Sequence, residues 1–197
     1  MARKFSGDIS MWKALRAAVA LLLMSVALPA AQKAPKADDI LKAAKLKAAD
    51  QHKTIFLIFG ASWCEDCHQL DSFLGVPDIA AIFDKYFIVT KLTFGEALAG
   101  HPEWDNPGSD SLISKYGGLS ASGALDLPFI AVLDPKAKLL ANSNKPGQGH
   151  AAGTGTGFPT DPEDIKWFLG MLQKAVPALT EDETHKIQDA LAKPADE

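Results

Sequence analysis

The 197-residue chain contains only two cysteines, and they stand three positions apart in Cys64-Glu-Asp-Cys67. Two thiols at that separation can close a small disulfide ring or share a metal ion. Which of these they do depends on what carries them. Immediately upstream runs Ile55-Phe-Leu-Ile-Phe59, five apolar residues between polar Thr54 and Gly60. That is the length and composition of a buried strand. Downstream, Leu70, Phe73 and Leu74 recur at helical spacing. The pair therefore sits where a strand gives way, through a Gly-containing turn, to a helix. A helix N-terminus offers unpaired N–H groups and a partial positive charge, and both favour thiolate over thiol. On this reading Cys64, nearer the turn and the more exposed, is the attacking thiol. Cys67, one turn inside, is the resolving one.

Other chemistries are tested by the neighbouring residues. Structural zinc needs four ligands, and His68 is the only other ligand type close by. Cys64-Glu-Asp-Cys67-His68 also spells Cys-x-x-Cys-His, the attachment motif of covalent c-type haem, with Met171 as a nominal axial ligand. The preceding strand and the β pattern elsewhere argue against haem, because small c-type cytochromes are mainly helical. Met171 lies on an apolar helical face and reads as core. His52, His101, His150 and His185 show no metal-ligand spacing and read as surface residues. No cofactor is expected beyond the cysteine pair itself. Glu65 and Asp66 place two carboxylates between the thiols, which disfavours a Cys64 thiolate. Strong oxidants of this type depend on a stabilised thiolate, so the acidic pair points to a reductant or a mild exchanger. His68, on the first turns of the same helix, offers an opposing positive charge when protonated, or is simply exposed.

Trp63-Cys64-x-x-Cys67, following a buried strand and opening a helix, resembles the active site of the thioredoxin superfamily. A second feature of that superfamily stands downstream in Leu125-Asp-Leu-Pro128-Phe-Ile-Ala-Val-Leu-Asp134, where a proline immediately precedes an apolar strand. The resemblance covers residues 38 to 176. It implies a cis peptide bond at Pro128, packed beside the cysteines, and a Trp63 that shields the pair and faces clients. It also implies a Leu127 backbone that pairs with a client peptide as a strand edge does. One departure is plain. Thioredoxins carry a buried Asp in the strand before the cysteines, and here that strand is wholly apolar, so the acid has no counterpart in it.

The remaining chain supplies an α/β frame. An amphipathic helix is expected from Asp38, capped by Asp38-Asp39, with Ile40, Leu41, Ala44, Leu46 and Ala48 as its apolar positions. Val76-Pro77 breaks the chain after the cysteine helix, and Asp78 can cap the next helix through Ile79, Ile82 and Phe83. Phe87 to Phe94 is β-branched enough to be a strand. Gly95 to Pro107 reads as a loop, Ser109 to Tyr116 as a short helix stopped by Gly117-Gly118. Pro128 to Leu133 and Lys138 to Ala141 form a hairpin. Gly147 to Gly157 is a Gly-rich loop without the Gly-Lys-Ser/Thr of a phosphate cradle. Asp161-Pro162 starts a helix at cap and first position, and Thr180-Glu-Asp-Glu183 fits a capping box for a last helix ending near Lys193. This order predicts a thioredoxin-like three-layer α/β/α sandwich with a mixed central sheet, a helical insert before the Pro128 strand and an extra C-terminal helix. No internal repeat is visible.

The N-terminal end reads differently. Arg3, Lys4, Lys13 and Arg16 make a basic start, Ala17 to Leu28 is an uncharged apolar run, and Pro29-Ala30-Ala31 supplies small residues. That layout is a secretory signal peptide over 1–31, followed by a linker over 32–37 and one domain over 38–197. The apolar run is shorter than the about 20 residues a spanning helix needs. Beyond residue 31 remain 16 lysines, no arginine and 23 acidic residues, a net charge near −7. Such a surface lacks the guanidinium forks that grip phosphate and suits neither nucleic acid nor anionic membrane. Two adjacent cysteines in an exported protein suit a redox pair better than a structural framework. The expectation is a periplasmic or secreted thiol–disulfide oxidoreductase acting on client protein or peptide disulfides. It would be re-reduced by a membrane-linked or thiol redox partner. No apolar surface stretch calls for a dimer, and a monomer is expected. Alternatives are a disulfide oxidase or isomerase on the same fold, or a binding module that retains the fold without turnover.

Overall fold

Ile55 to Phe59 fails to alternate between apolar and polar because both of its faces are covered. In a computed structural model that describes residues 33–118, 126–145 and 154–193, the run forms β1 (Thr54–Gly60) at the centre of a sheet. β1 pairs in parallel with β2 (Phe87–Thr93) and antiparallel with β3 (Phe129–Leu133). β3 continues antiparallel to β4 (Leu139–Asn142), giving the order β2-β1-β3-β4. The expected leader over 1–31, most of the Gly-rich loop and His150 lie outside the described residues.

Successive strand side chains point to opposite faces, and the two layers of helices follow that period. Ile55, Leu57, Phe59, Phe129, Ala131 and Leu133 pack against α1 (Ala37–Gln51) and against α4 (Ser109–Lys115), which fills the stretch between β2 and β3. Phe56, Ile58, Ile130 and Val132 face the other way. They meet α2 (Glu65–Gly75), α3 (Pro77–Tyr86) and α5 (Pro162–Ala175). Phe56 is the hub of that second layer. Its ring stands edge-on to Phe83, Phe87 and Phe168 at centroid distances of 5.1, 5.6 and 6.3 Å, the arrangement that aromatic quadrupoles prefer. Met171 lies in the same cluster.

The extra C-terminal helix, α6 (Glu181–Leu191), docks on α3 and α5 through Ile187 and Leu191. Its polar tether is Glu183, which accepts from Lys85 Nζ at 2.8 Å and lies 2.8 Å from the Tyr86 hydroxyl. Burial pushes the Glu183 carboxyl up, but hydrogen bonds from Lys85, the Thr180 N–H, Tyr86 and the Thr180 hydroxyl outweigh it and hold it at about 2. The same carboxylate closes the Thr180 capping box. Asp161 caps α5, its Oδ1 accepting the Glu163 and Asp164 N–H groups at 2.8 and 2.9 Å, with Pro162 at the first position.

Several boundaries differ from expectation for identifiable reasons. α1 begins at Ala37, inside the stretch read as linker, and neither Asp38 nor Asp39 caps it. Both lie in its first turn. Ala37 is wholly buried and donates its N–H to the Pro107 carbonyl at 3.0 Å, so a tertiary contact replaces the side-chain cap. Leu46 is exposed because the buried stripe is Ala37, Leu41, Ala44 and Ala48, a 3.6-residue period that passes it by. Asp78 is also a first-turn residue, since Val76 takes the cap position and Pro77 the first helical one. The Gly95–Pro107 loop contains two 3-10 turns, Glu96–Ala99 and Pro102–Trp104. A short ladder of β5 (Asn144–Lys145) and β6 (Thr154–Gly155) has no signal in the sequence pattern.

Candidate active site

β1 ends at Gly60, and a tight turn then delivers Cys64 to the start of α2. The Cys64 N–H donates to the Ala61 carbonyl at 3.2 Å, and Cys64 takes the N-cap position with φ −84° and ψ 108°. A cap residue normally uses an oxygen to accept from the first turn. Here sulfur does so, and Cys64 Sγ accepts the Cys67 N–H at 3.1 Å. Cys64 and Cys67 are joined as a disulfide, with Cα atoms 5.2 Å apart. Gly60 makes room for it, since a Cβ there would lie 3.1 Å from Cys67 Sγ.

The expectation that Cys64 is the more exposed cysteine is corrected. Cys64 is 4% exposed and Cys67 9%. Leu127 packs against the small buried cluster of Ala61, Cys64 and Cys67. What separates the two thiols is the space each one lines. Cys64 borders a shallow groove of about 390 Å³ with Trp63, Glu65, Asp66, Asp126, Leu127, Thr156 and Gly157. Cys67 borders a cleft of about 230 Å³ with Ser62, His68, Asp71, Lys91 and Glu96. A larger hollow of about 950 Å³ between β4 and α5 touches neither cysteine.

The residues around the groove are held by specific bonds. Trp63 is 45% exposed, and its indole Nε1 donates to the Gly95 carbonyl at 2.9 Å, laying the ring along the edge of the site. The Leu127–Pro128 peptide bond is cis, Pro128 is buried, and Leu127 is half-buried beside the disulfide. Glu65 is exposed at the first position of α2. Asp66 is half-buried and turns to the opposite wall, where Oδ2 accepts the Phe158 N–H at 3.2 Å. One of the two carboxylates between the cysteines thus also serves as a latch. His68 is exposed, and its Nε2 donates to the Ser62 carbonyl at 2.9 Å, so the ring braces the turn.

Three contributors had no reading as site residues in the sequence. Glu96 is 1% exposed. Its Oε1 accepts the Ser62 N–H at 2.6 Å and its Oε2 the Ser62 hydroxyl at 2.7 Å. Ser62 is the second. The third is the Thr156–Phe158 segment, whose Thr156 and Gly157 line the groove and whose Phe158 N–H holds Asp66. Gly157 has φ +56°, and a Cβ on it would fall 2.3 Å from Asp66 Oδ2. The only signal for Glu96 is its place directly after the β2 strand and Gly95, and no spacing rule connects it to Cys64. Among the described residues, no group of three or more His, Cys, Asp or Glu side chains is arranged to hold a metal ion.

A family model described as thioredoxin-like matches residues 36–135, a stretch that holds both cysteines and Pro128. Similar solved structures include a disulphide isomerase from Xylella fastidiosa Temecula1, 22% identical, covering 84% of this chain and 95% of that one at a TM-score of 0.46. A DsbH oxidoreductase is 19% identical, covering 60% of this chain and 76% of that one at a TM-score of 0.37. The oxidised C-terminal domain of Neisseria meningitidis DsbD is 18% identical, covering 55% of this chain and 82% of that one at 0.35. No curated protein sequence matches the chain.

Proposed function

This chain belongs to the thioredoxin-like family, and from that premise we propose that it is an exported enzyme that reduces or exchanges disulfides of client proteins. A thioredoxin-like fold with a Cys-x-x-Cys pair supports thiol–disulfide oxidoreductase activity in general. The observation that carries the reading is Cys64 Sγ at the N-terminus of α2, accepting the Cys67 N–H at 3.1 Å beside a groove between Trp63 and Leu127. A sulfur that accepts from the helix N-terminus is a sulfur whose anionic form is favoured there.

The chemistry proceeds from the reduced pair. The Cys64 thiolate attacks one sulfur of a client disulfide, the client S–S bond breaks, and the first client sulfur leaves as a thiol after taking a proton. Cys67 then loses its proton and attacks Cys64 in the mixed disulfide. The Cys64–Cys67 bond forms, and the second client sulfur leaves. The client has gained two electrons from the pair and two protons, one released by Cys67 and one from solvent, which had already received the proton of Cys64. Trp63 and the Leu127 backbone line the path by which an extended client segment reaches Cys64.

Glu65 and Asp66 support the reducing direction, because negative charge beside Cys64 disfavours the thiolate on which strong oxidants rely. Export is supported by the basic start and apolar run over 1–31, and places the enzyme in the periplasm or outside the cell. A membrane-linked or thiol donor would then return the pair to the dithiol. Two measurements test the proposal. Equilibration with glutathione should give a two-electron couple near or below about −250 mV, whereas a value above about −180 mV would move the protein to the oxidase or isomerase side. Cys67→Ser should accumulate a mixed disulfide with a model client, and Cys64→Ser should form none. A trapped adduct in Cys64→Ser instead would reverse the roles of the two thiols.

A further inference from the structure

β1 brings no ionisable side chain to the site, yet a buried acid, Glu96, lines the cleft that Cys67 borders. Its two oxygens act as acceptors, as those of an ionised carboxylate do. Both donors belong to Ser62, two residues before Cys64. The carbonyl of the same Ser62 is held by His68 from α2. Ser62 is therefore fixed from two sides, and with it the turn that presents Cys64.

The loop after β2 is braced in a way that delivers Glu96 to this point. Asp105 Oδ1 accepts the Glu96 N–H at 3.0 Å, Asn106 Oδ1 accepts the Thr93 N–H at 2.7 Å, and the Gly95 carbonyl takes the Trp63 indole. The other ionisable groups bordering the cleft are His68, engaged with Ser62, and Asp71 with Lys91, which pair with each other. Among the described residues no ion pair includes Glu96. Among the described residues its carboxylate oxygens are held by hydrogen bonds from Ser62 alone.

We propose that Glu96 is a positioning residue for the Cys64–Cys67 couple, anchoring the Ser62–Cys64 turn and biasing the pair toward the disulfide through its buried charge. The inference rests on the reading of these cysteines as a redox couple. Inside the protein a charge acts over several ångströms more strongly than in water, and a like charge disfavours a neighbouring anion. The dithiol state carries the Cys64 thiolate, whereas the disulfide carries no charge. Glu96 therefore weakens the reduced state alone and makes the pair a better electron donor.

The test compares purified wild type, Glu96→Gln, Glu96→Asp and Ser62→Ala in glutathione buffers at neutral pH, with thermal unfolding recorded for each. Glu96→Gln keeps the shape of the side chain and removes its charge. It should shift the equilibrium about tenfold toward the reduced protein, which is about 30 mV less negative. It should also bring the pH midpoint of Cys64 alkylation down. Glu96→Asp keeps the charge and should stay within about twofold of wild type. Ser62→Ala, at an exposed position, should slow attack on a model disulfide about threefold without moving the equilibrium, because the anchor loosens while the charge remains. A Glu96→Gln protein that loses only thermal stability, with an unmoved equilibrium, would show a purely structural glutamate. A tenfold shift in Glu96→Asp would overturn the charge argument, and an unchanged rate in Ser62→Ala the anchoring one. Wild type with no couple to glutathione would sink the redox reading itself, a result distinct from any of these.

Discussion

Gly157 is the position where a single methyl group should do the most damage to the groove. Its φ of +56° is one that alanine adopts only at a cost of about 1 kcal/mol. The added Cβ would also lie 2.3 Å from Asp66 Oδ2, inside any tolerable contact, with the Leu127 carbonyl 3.8 Å away on another side. The carboxylate must swing out, and in doing so it releases the Phe158 N–H that it accepts at 3.2 Å. A hydrogen bond to a charged acceptor contributes about 1.5–3 kcal/mol, and the half-buried setting of Asp66 favours the lower end. Gly157→Ala should therefore cost about 2.5 kcal/mol, or about 5–10 °C in Tm for a chain of this size. The separation of the two causes comes from a double-mutant cycle. Asp66→Ala alone loses the latch, about 1.5 kcal/mol. In that background Gly157→Ala meets no carboxylate and should cost only the backbone contribution, about 1 kcal/mol. The double variant should then be no less stable than Gly157→Ala alone, a coupling of about 1.5 kcal/mol. Urea unfolding of the four oxidised proteins, followed by tryptophan fluorescence, measures it. Costs that simply add, within about 0.5 kcal/mol, would refute the placement of Gly157 against Asp66.

Two further outcomes follow from polar groups that hold the frame. Asn106 is 6% exposed, and its amide bridges the Thr93 N–H at 2.7 Å and the Pro35 carbonyl at 2.9 Å; Asn106→Ala should cost about 2–3 kcal/mol by urea unfolding, and a loss below 1 would mean the bridge is dispensable. Glu183 has its folded-state carboxyl lowered from 4.5 to about 2, so its contribution is complete above about pH 4.5 and disappears as pH falls toward 2. With Lys85 56% exposed, that contribution should be about 1–2 kcal/mol, less than the shift alone implies. Glu183→Gln should flatten the decline of the urea midpoint across that window, and an unchanged slope would contradict the tether.

Local rules located the elements whose signals are local. The Asp161-Pro162 start and the Thr180–Glu183 box need only hydrogen bonds within three or four residues, and both are present. The same rules misplaced the start of α1, because Ala37 is held by Pro107 across the fold. They also misjudged Cys64, which lies in a buried cluster against which Leu127, about sixty residues away in the chain, packs.

The sequence by itself determined the chemistry-bearing pair, the strand and helix that carry it and the proline that faces it. Each of those is written in a short window as a run of apolar residues, a spacing or a residue type. Only the tertiary structure decided which groups surround the pair. Glu96 meets Ser62 across 34 positions, and Asp66 meets Phe158 across 92. Such contacts depend on where loops end once the sheet and its two helical layers have packed. A carboxylate in a loop carries no sign of the turn it will hold, because its partner is fixed by packing and not by sequence distance.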